Sequence, residues 1–279
     1  MPNPEKPVPQ LSGFQKFFIS LKDTLIGYRY LVLTVLSFLL VFLLGEGDLL
    51  SLAKFAISLS FSGLIVGLVL EELWINRSKF NFVLEIYFSG FLAYLRAFLI
   101  AVTTITLAIG VYPFVPKFLR WGWGSLISSG PTNVLLQPFD TMEKVGAASV
   151  AQGSSVNWGA VLIVLFWAVL VFILPFWAQT EELIFRKGVN SWGKICVKSL
   201  QFGLTHLIVG IPIYMGFVLA VPGFLFAWRY KYVHDRFLKK IEDDELKAQE
   251  AGVAASTADH AIYNAILISL LALLLLLGS

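Results

Sequence analysis

Three short polar motifs interrupt the apolar C-terminal half of this 279-residue chain. In chain order they are EExxxR, FxxxH and HxxxN, formed by Glu181, Glu182, Arg186, Phe202, His206, His260 and Asn264. A carboxylate can take a proton from water, an imidazole can pass or donate protons, and a carboxamide can donate a hydrogen bond to an oxyanion. Polar groups within apolar stretches are costly and usually mark a functional site. The three motifs together indicate hydrolytic chemistry.

The first motif supplies two carboxylates that are predicted to have different roles. On a helix, Glu182 and Arg186 are four residues apart and share a face, so they can pair, whereas Glu181 points about 100° away. One carboxylate is then held by a guanidinium and the other is left free to act as a base. The alternative is an ordinary charge cluster where a helix leaves the membrane, since Glu and Arg are common at that boundary.

The second and third motifs each bring a histidine into an apolar segment. His206 follows Phe202 by one helical turn, and the phenyl ring could shield a pocket from water. His260 and Asn264 are also one turn apart and therefore adjacent on one face. The alternative for His206 is a buried histidine that bonds a carbonyl of a neighbouring helix. The chain's other histidine, His234, is predicted to be a solvated residue with no catalytic role.

Composition fixes the class of protein. Hydrophobic residues make up 57% of the chain and charged residues 14%, with a mean hydropathy of +0.78. Soluble domains are much less apolar, so the chain is predicted to be an all-α, polytopic transmembrane helix bundle. The single cysteine, Cys196, excludes an intrachain disulfide and a CxxC metal site. A spanning helix needs about 20 largely apolar residues. About seven spans are predicted, at 29–45, 53–75, 86–112, 158–180, 196–211, 212–230 and 260–278.

Basic residues predict the orientation of these spans. With a cytoplasmic N-terminus, sixteen of the 21 lysines and arginines fall on the cytoplasmic side and four on the other, while Arg96 lies inside the third span. This bias favours seven spans with the N-terminus inside. Residues 113–157 are predicted to form an external loop, and 231–258 a charged cytoplasmic loop whose mixed charges indicate a short solvated helix or a linker. Residues 11–26 have the pattern of an interfacial amphipathic helix.

The order of the three motifs resembles that of the CAAX prenyl protease and bacteriocin-processing (CPBP) family, also called the Abi family. The resemblance covers about 158–278 and predicts two parts: residues 1–157, with the amphipathic helix, three spans and the external loop, and a catalytic core at 158–279. Members of the family are intramembrane endopeptidases. The resemblance implies that Glu181, His206, His260 and Asn264 are catalytic, and that Glu182 and Arg186 support them. One departure is Lys187, since many relatives place glycine directly after the arginine, whereas here Gly188 comes one residue later.

Two mechanisms for such a site remain open. In the metal-free version Glu181 is the base, His206 positions water, and His260 with Asn264 stabilises the oxyanion. In the other, His206, His260 and a glutamate bind zinc as a His2Glu set with water in the open position. The metal-free version is preferred, with no cofactor, because an asparagine is a poor zinc ligand and a good oxyanion donor.

The expected partners are the lipid bilayer and a membrane-associated peptide or protein substrate, and no nucleic acid. The rival class is a non-proteolytic membrane scaffold, immunity or regulatory protein of the same family. Neither a cleavable signal peptide nor a transit peptide is recognised in the first 26 residues. The chain is therefore predicted to be an integral protein of a bacterial plasma membrane.

Overall fold

The structure is a computed structural model, and it describes residues 29–44, 47–127, 132–240 and 244–278. These residues form helices joined by turns, with no strand among them. The predicted all-α class is thus confirmed for the described part of the chain. The amphipathic helix predicted at 11–26 lies outside the described residues.

Ten α-helices occur in the described ranges. They are α1 (Arg29–Leu44), α2 (Asp48–Asn76), α3 (Phe80–Tyr87), α4 (Phe91–Val111), α5 (Gly124–Ile127), α6 (Gln137–Ala151), α7 (Trp158–Phe185), α8 (Trp192–Thr205), α9 (Ile213–Leu238) and α10 (Glu245–Gly278). Four 3₁₀ turns lie between them, at Tyr112–Phe114, Lys117–Arg120, Val134–Leu136 and His206–Val209.

The chain divides into two compact units, residues 1–53 and 54–279. In the first unit, the described part of the chain consists of α1 and the start of α2. The second unit holds all three polar motifs. Helices from both sides of the predicted boundary at 157/158 pack on one another in this unit, because α3 and α4 contact α10, and α6 contacts α7.

Five described helices are long and apolar enough to cross a membrane: Asp48–Asn76, Phe91–Phe114, Trp158–Phe185, Ile213–Leu238 and Glu245–Gly278. The chain is therefore described as an integral membrane protein. Two predicted spans are not in this set. The segment predicted at 29–45 is the 16-residue α1, and the one at 196–211 is divided between the 14-residue α8 and a 3₁₀ turn.

The two loops predicted between spans are largely helical. The segment 113–157, predicted to be external, contains α5 and α6, and the segment 231–258, predicted to be cytoplasmic, is mostly the end of α9 and the start of α10. Pairs of opposite charge four residues apart support α9 beyond its apolar part, as Lys231 and Asp235 do at 2.6 Å. His234 is buried, with 4% of its surface exposed, so the prediction of a solvated residue was wrong. Its Nδ1 contacts Asp235 of the same helix, and its Nε2 contacts Glu245 and so ties α9 to α10.

Helix α10 is the centre of the second unit, where it contacts α3, α4, α7 and α9. Small side chains allow this close packing. Ala258 and Ala261 of α10 face Ala178 of α7, and Ile262 packs on alanines of α4. In a bilayer, helix association depends on such close packing, since lipid removes the usual hydrophobic driving force. The third motif, His260 to Asn264, therefore lies on the helix against which α3, α4, α7 and α9 pack.

Helices α8 and α9 cross at a pair of glycines. A Cβ atom on Gly203 would lie 2.1 Å from the carbonyl oxygen of Gly216 and 2.6 Å from the backbone nitrogen of Ala220. These are backbone atoms, which cannot turn aside as a side chain can. The contact requires glycine at position 203 and sets the position of the second motif, Phe202 to His206, against α9.

Candidate functional site

A cavity of about 370 Å³ lies between α7, α8, α9 and α10. Its wall includes one residue or more of each motif: Glu181, Phe202, His206, His260 and Asn264. The rest of the wall is mostly leucine, isoleucine and aromatic side chains. The structure thus brings the four residues predicted to be catalytic onto one cavity, and none of them points away from it.

His260 lies between the two neighbouring glutamates. Its Nδ1 is 2.9 Å from Oε1 of Glu182, and its Nε2 is 3.5 Å from Oε2 of Glu181. Glu182 is fully buried, whereas the Glu181 side chain keeps 34% of its surface exposed. Glu182 therefore orients the imidazole, and Glu181 is the carboxylate that water can reach.

Arg186 holds Glu182 from the other side. The two residues form the ion pair predicted from their spacing, with Nε of Arg186 3.4 Å from Oε2 of Glu182, although this contact lacks hydrogen-bond geometry. The guanidinium also donates to the carbonyl of Gly223 at 3.2 Å and lies 4.2 Å from the ring centre of Phe202. Arg186 is 0% exposed, and its Nε and Nη1 have no hydrogen-bond partner among the described residues, so these contacts replace only part of the water it has lost.

The turn after Arg186 contains Gly188, which comes one residue later than the glycine of the family that the motifs resemble. Gly188 has φ +76°, a backbone conformation that other residues adopt with strain, and its N–H donates to the hydroxyl of Tyr230 at 2.9 Å. Lys187, which departs from the pattern of the family that the motifs resemble, is exposed. A lysine at this position therefore lies away from the buried side of the motif.

Phe202 separates the two histidines of the cavity. Its ring centre is 4.7 Å from that of His206 and 5.5 Å from that of His260. Phe226 stacks on the other side of His260 at 4.5 Å. The two phenyl groups pack on the imidazole of His260, and this side chain keeps only 2% of its surface exposed.

His206 is at a change in helix type. Helix α8 ends at Thr205, and a 3₁₀ turn begins at His206, whose Nδ1 lies 2.8 Å from the carbonyl oxygen of Phe202. Since a carbonyl only accepts, Nδ1 carries the proton, and Nε2 of the neutral ring is left as an acceptor. A 3₁₀ turn is common at the C-terminal end of an α-helix. His206 can therefore accept a hydrogen bond from water in the cavity.

Zinc coordination by His206, His260 and a glutamate requires three donors around one point. In the ranges that the structure describes, no group of three or more His, Cys, Asp and Glu side chains is arranged to hold a metal ion. The nitrogen of His260 that is nearest to Glu182 is already in contact with that carboxylate. Nε2 of His260 is outside that contact, and the zinc alternative stays a prediction beside the metal-free one.

Sequence reasoning missed an ion cluster beside the cavity. Asp259, the residue before His260, accepts two hydrogen bonds from Arg96, at 2.7 and 2.9 Å, and Arg229 lies 3.6 Å away. The signal was present, because Arg96 lies within a predicted span and a charge there requires a partner. The partner is 163 residues away in the sequence, which no local spacing reveals.

The chain was compared with protein-family models, with curated proteins and with solved structures, and none of the three comparisons found a match.

Proposed function

We propose that the chain is an intramembrane endopeptidase of the CPBP type, which hydrolyses a peptide bond near or within the membrane. The observation that carries the proposal is the single cavity shared by Glu181, His206, His260 and Asn264. Peptide hydrolysis needs a base and oxyanion donors around one reacting carbonyl. An apolar wall with a few convergent polar groups is also the usual form of a substrate site.

In this mechanism Glu181 is the general base. It removes a proton from a water molecule that His206 helps to position, and the resulting hydroxide attacks the peptide carbonyl carbon. The oxygen of that carbonyl becomes an oxyanion, which Asn264 stabilises as a hydrogen-bond donor, and His260 adds a second donor, Nε2–H, in the form that carries a proton on both ring nitrogens. The tetrahedral intermediate collapses, the C–N bond breaks, and the proton held by Glu181 passes to the leaving amine. Glu182 keeps His260 in place throughout.

The mutation that tests the proposal is Glu181→Gln. The purified protein would be reconstituted into liposomes with a library of quenched fluorescent peptides that carry a membrane anchor. We expect cleavage by the wild type and a loss of about 10²- to 10⁴-fold in the variant, because the amide cannot accept the proton. Glu85→Gln, which changes an exposed glutamate on α3, is the matched control and should cleave normally. Equal cleavage by Glu181→Gln and wild type would contradict the proposal and favour a scaffold or regulatory role.

The proposed topology has seven spans, a cytoplasmic N-terminus and the bacterial plasma membrane as its location. Helix α8 is too short to cross alone, but α8 with the 3₁₀ turn that follows it extends for about 29 Å, close to the thickness of the hydrocarbon core. The 3₁₀ turn contacts the segment after α4, where the indole N–H of Trp123 donates to the carbonyl of Leu207 at 2.9 Å. This contact supports a crossing from the end of α7 to the side on which α4 ends.

Cysteine labelling tests the topology. In a Cys196→Ser background, a cysteine at the exposed Ser155, between α6 and α7, should react with an impermeant maleimide in intact cells. A cysteine at the exposed Lys187, after α7, should react only once the membrane is opened. Labelling of position 187 in intact cells would contradict the proposed orientation.

A further inference from the structure

A second cavity, of about 460 Å³, lies between α4, α9 and α10. Its wall carries three charged side chains, Arg96, Arg229 and Asp259. The remaining lining is mostly apolar or aromatic and consists of Leu99, Ile100, Thr103, Leu225, Trp228 and Tyr232. No residue of this wall belongs to the three motifs, so the cavity is distinct from the candidate catalytic site.

The charges of this cavity do not balance. Asp259 is 1% exposed and is engaged by Arg96 through both carboxylate oxygens. Arg229 forms an ion pair with Asp259 at 3.6 Å, and the oxygen that it contacts already accepts a hydrogen bond from Arg96. Its Nε is buried and has no hydrogen-bond partner among the described residues. Two cations thus face one anion, and the excess charge is in a spanning bundle, where an uncompensated cation is costly.

The exposed side of the cavity indicates how an anion that balances the two arginines would enter it. Leu99, Trp228 and Tyr232 are each more than half exposed on helices long enough to span the membrane, so this side of the cavity opens to lipid. Tryptophan and tyrosine are enriched where a bilayer meets water, at the level of the lipid headgroups. An acyl chain could lie along the leucines while the headgroup reaches the guanidinium groups.

We propose that the Arg96–Arg229 cavity binds a phosphate group, and that the group is the headgroup of an anionic phospholipid. Arginine forms strong, geometrically specific hydrogen bonds with phosphate oxygens. The anion neutralises the excess positive charge and gives the buried Nε of Arg229 an acceptor. A free phosphate offers the same chemistry but leaves the apolar walls unfilled. This proposal does not depend on the proposed peptidase activity.

Arg229→Gln tests the proposal with the least damage, because the Arg96–Asp259 pair remains. The protein would be equilibrated in mixed bilayers of phosphatidylcholine and phosphatidylglycerol and extracted into a neutral detergent. The lipid retained by each variant would then be measured by mass spectrometry. We expect the wild type to retain phosphatidylglycerol over phosphatidylcholine, and Arg229→Gln to lower that retention about tenfold. Lys239→Gln, which removes an exposed charge at the end of the same helix, should retain as much as the wild type.

Three outcomes would overturn the proposal. The first is equal retention of phosphatidylglycerol by Arg229→Gln and wild type, and the second is equal retention of the two lipids by the wild type. The third is displacement of the lipid by an equal concentration of glycerol 3-phosphate, which would show that free phosphate suffices. If Arg229→Gln does not fold, Thr103→Trp narrows the cavity without touching the ion cluster and should produce the same loss of phosphatidylglycerol. Normal retention in that variant would also contradict the proposal.

Discussion

Glu182 and His260 are 78 residues apart in the sequence, yet Oε1 of one lies 2.9 Å from Nδ1 of the other, and both side chains are buried. The contact joins α7 to α10 at the level of the cavity. It leaves Nε2 as the only ring nitrogen of His260 that can face Glu181. The two adjacent glutamates are therefore structurally different, one enclosed by the protein and one open to the cavity.

This difference predicts opposite results for two substitutions. Glu182→Ala removes the partner of both Arg186 and His260, and loss of one member of a buried ion pair costs about 3–5 kcal/mol. We expect a clear drop in the unfolding temperature of the purified protein. Glu181→Ala should unfold at nearly the wild-type temperature, because its side chain is 34% exposed and forms only a 3.5 Å contact. Equal destabilisation by the two variants would contradict the assignment of Glu182 as the structural member.

The second prediction concerns the contacts of Arg186. Arg186→Lys keeps the charge near Glu182 but loses the planar group that donates to Gly223 and lies over Phe202. We expect folded yield in the order wild type, Lys variant, Ala variant, measured by size-exclusion chromatography of a fluorescent fusion. Lys187→Ala, at the neighbouring exposed position, is the control and should leave yield unchanged. A normal yield for Arg186→Ala would make the first motif incidental to the fold.

Local spacing predicted part of this site and could not predict the rest. The pairing of Glu182 with Arg186 follows from their separation of four residues on a helix, and so does the shared face of His260 and Asn264. The contact between Glu182 and His260 depends on how α7 packs against α10, which no sequence window contains. Hydropathy also did not predict that α9 continues to Leu238 and that α10 begins at Glu245, since it detects apolar residues and misses the part of a helix that has polar sequence.

The third prediction uses the glycine crossing of α8 and α9. In Gly203→Ala the new methyl group meets the backbone of Gly216 and must push the helices apart, which shifts Phe202 and His206 out of the cavity wall. We expect a lower unfolding temperature and, if the proposed activity is correct, a loss of cleavage. Gly193→Ala is on the same helix with no atom within 4 Å of the new Cβ, and it should unfold at the wild-type temperature or slightly above. Similar behaviour of the two variants would show that the crossing is not tight.

The last prediction separates the metal-free mechanism from the zinc alternative. If Glu181 alone activates water, cleavage should survive exhaustive treatment with chelators, because no ion is needed to generate the nucleophile. A zinc enzyme should lose cleavage with chelator and recover it when metal is added, since the ion itself lowers the pKa of its bound water. The measurement is the cleavage rate before chelation, after it, and after zinc is restored, together with the metal content of the purified protein. His206→Ala supplies the matched comparison: it should lower the rate without changing metal content in the first case, and should lower both in the second. Stoichiometric zinc that is lost with the activity and restored with it would overturn the metal-free mechanism, while leaving Glu182 as the residue that orients His260.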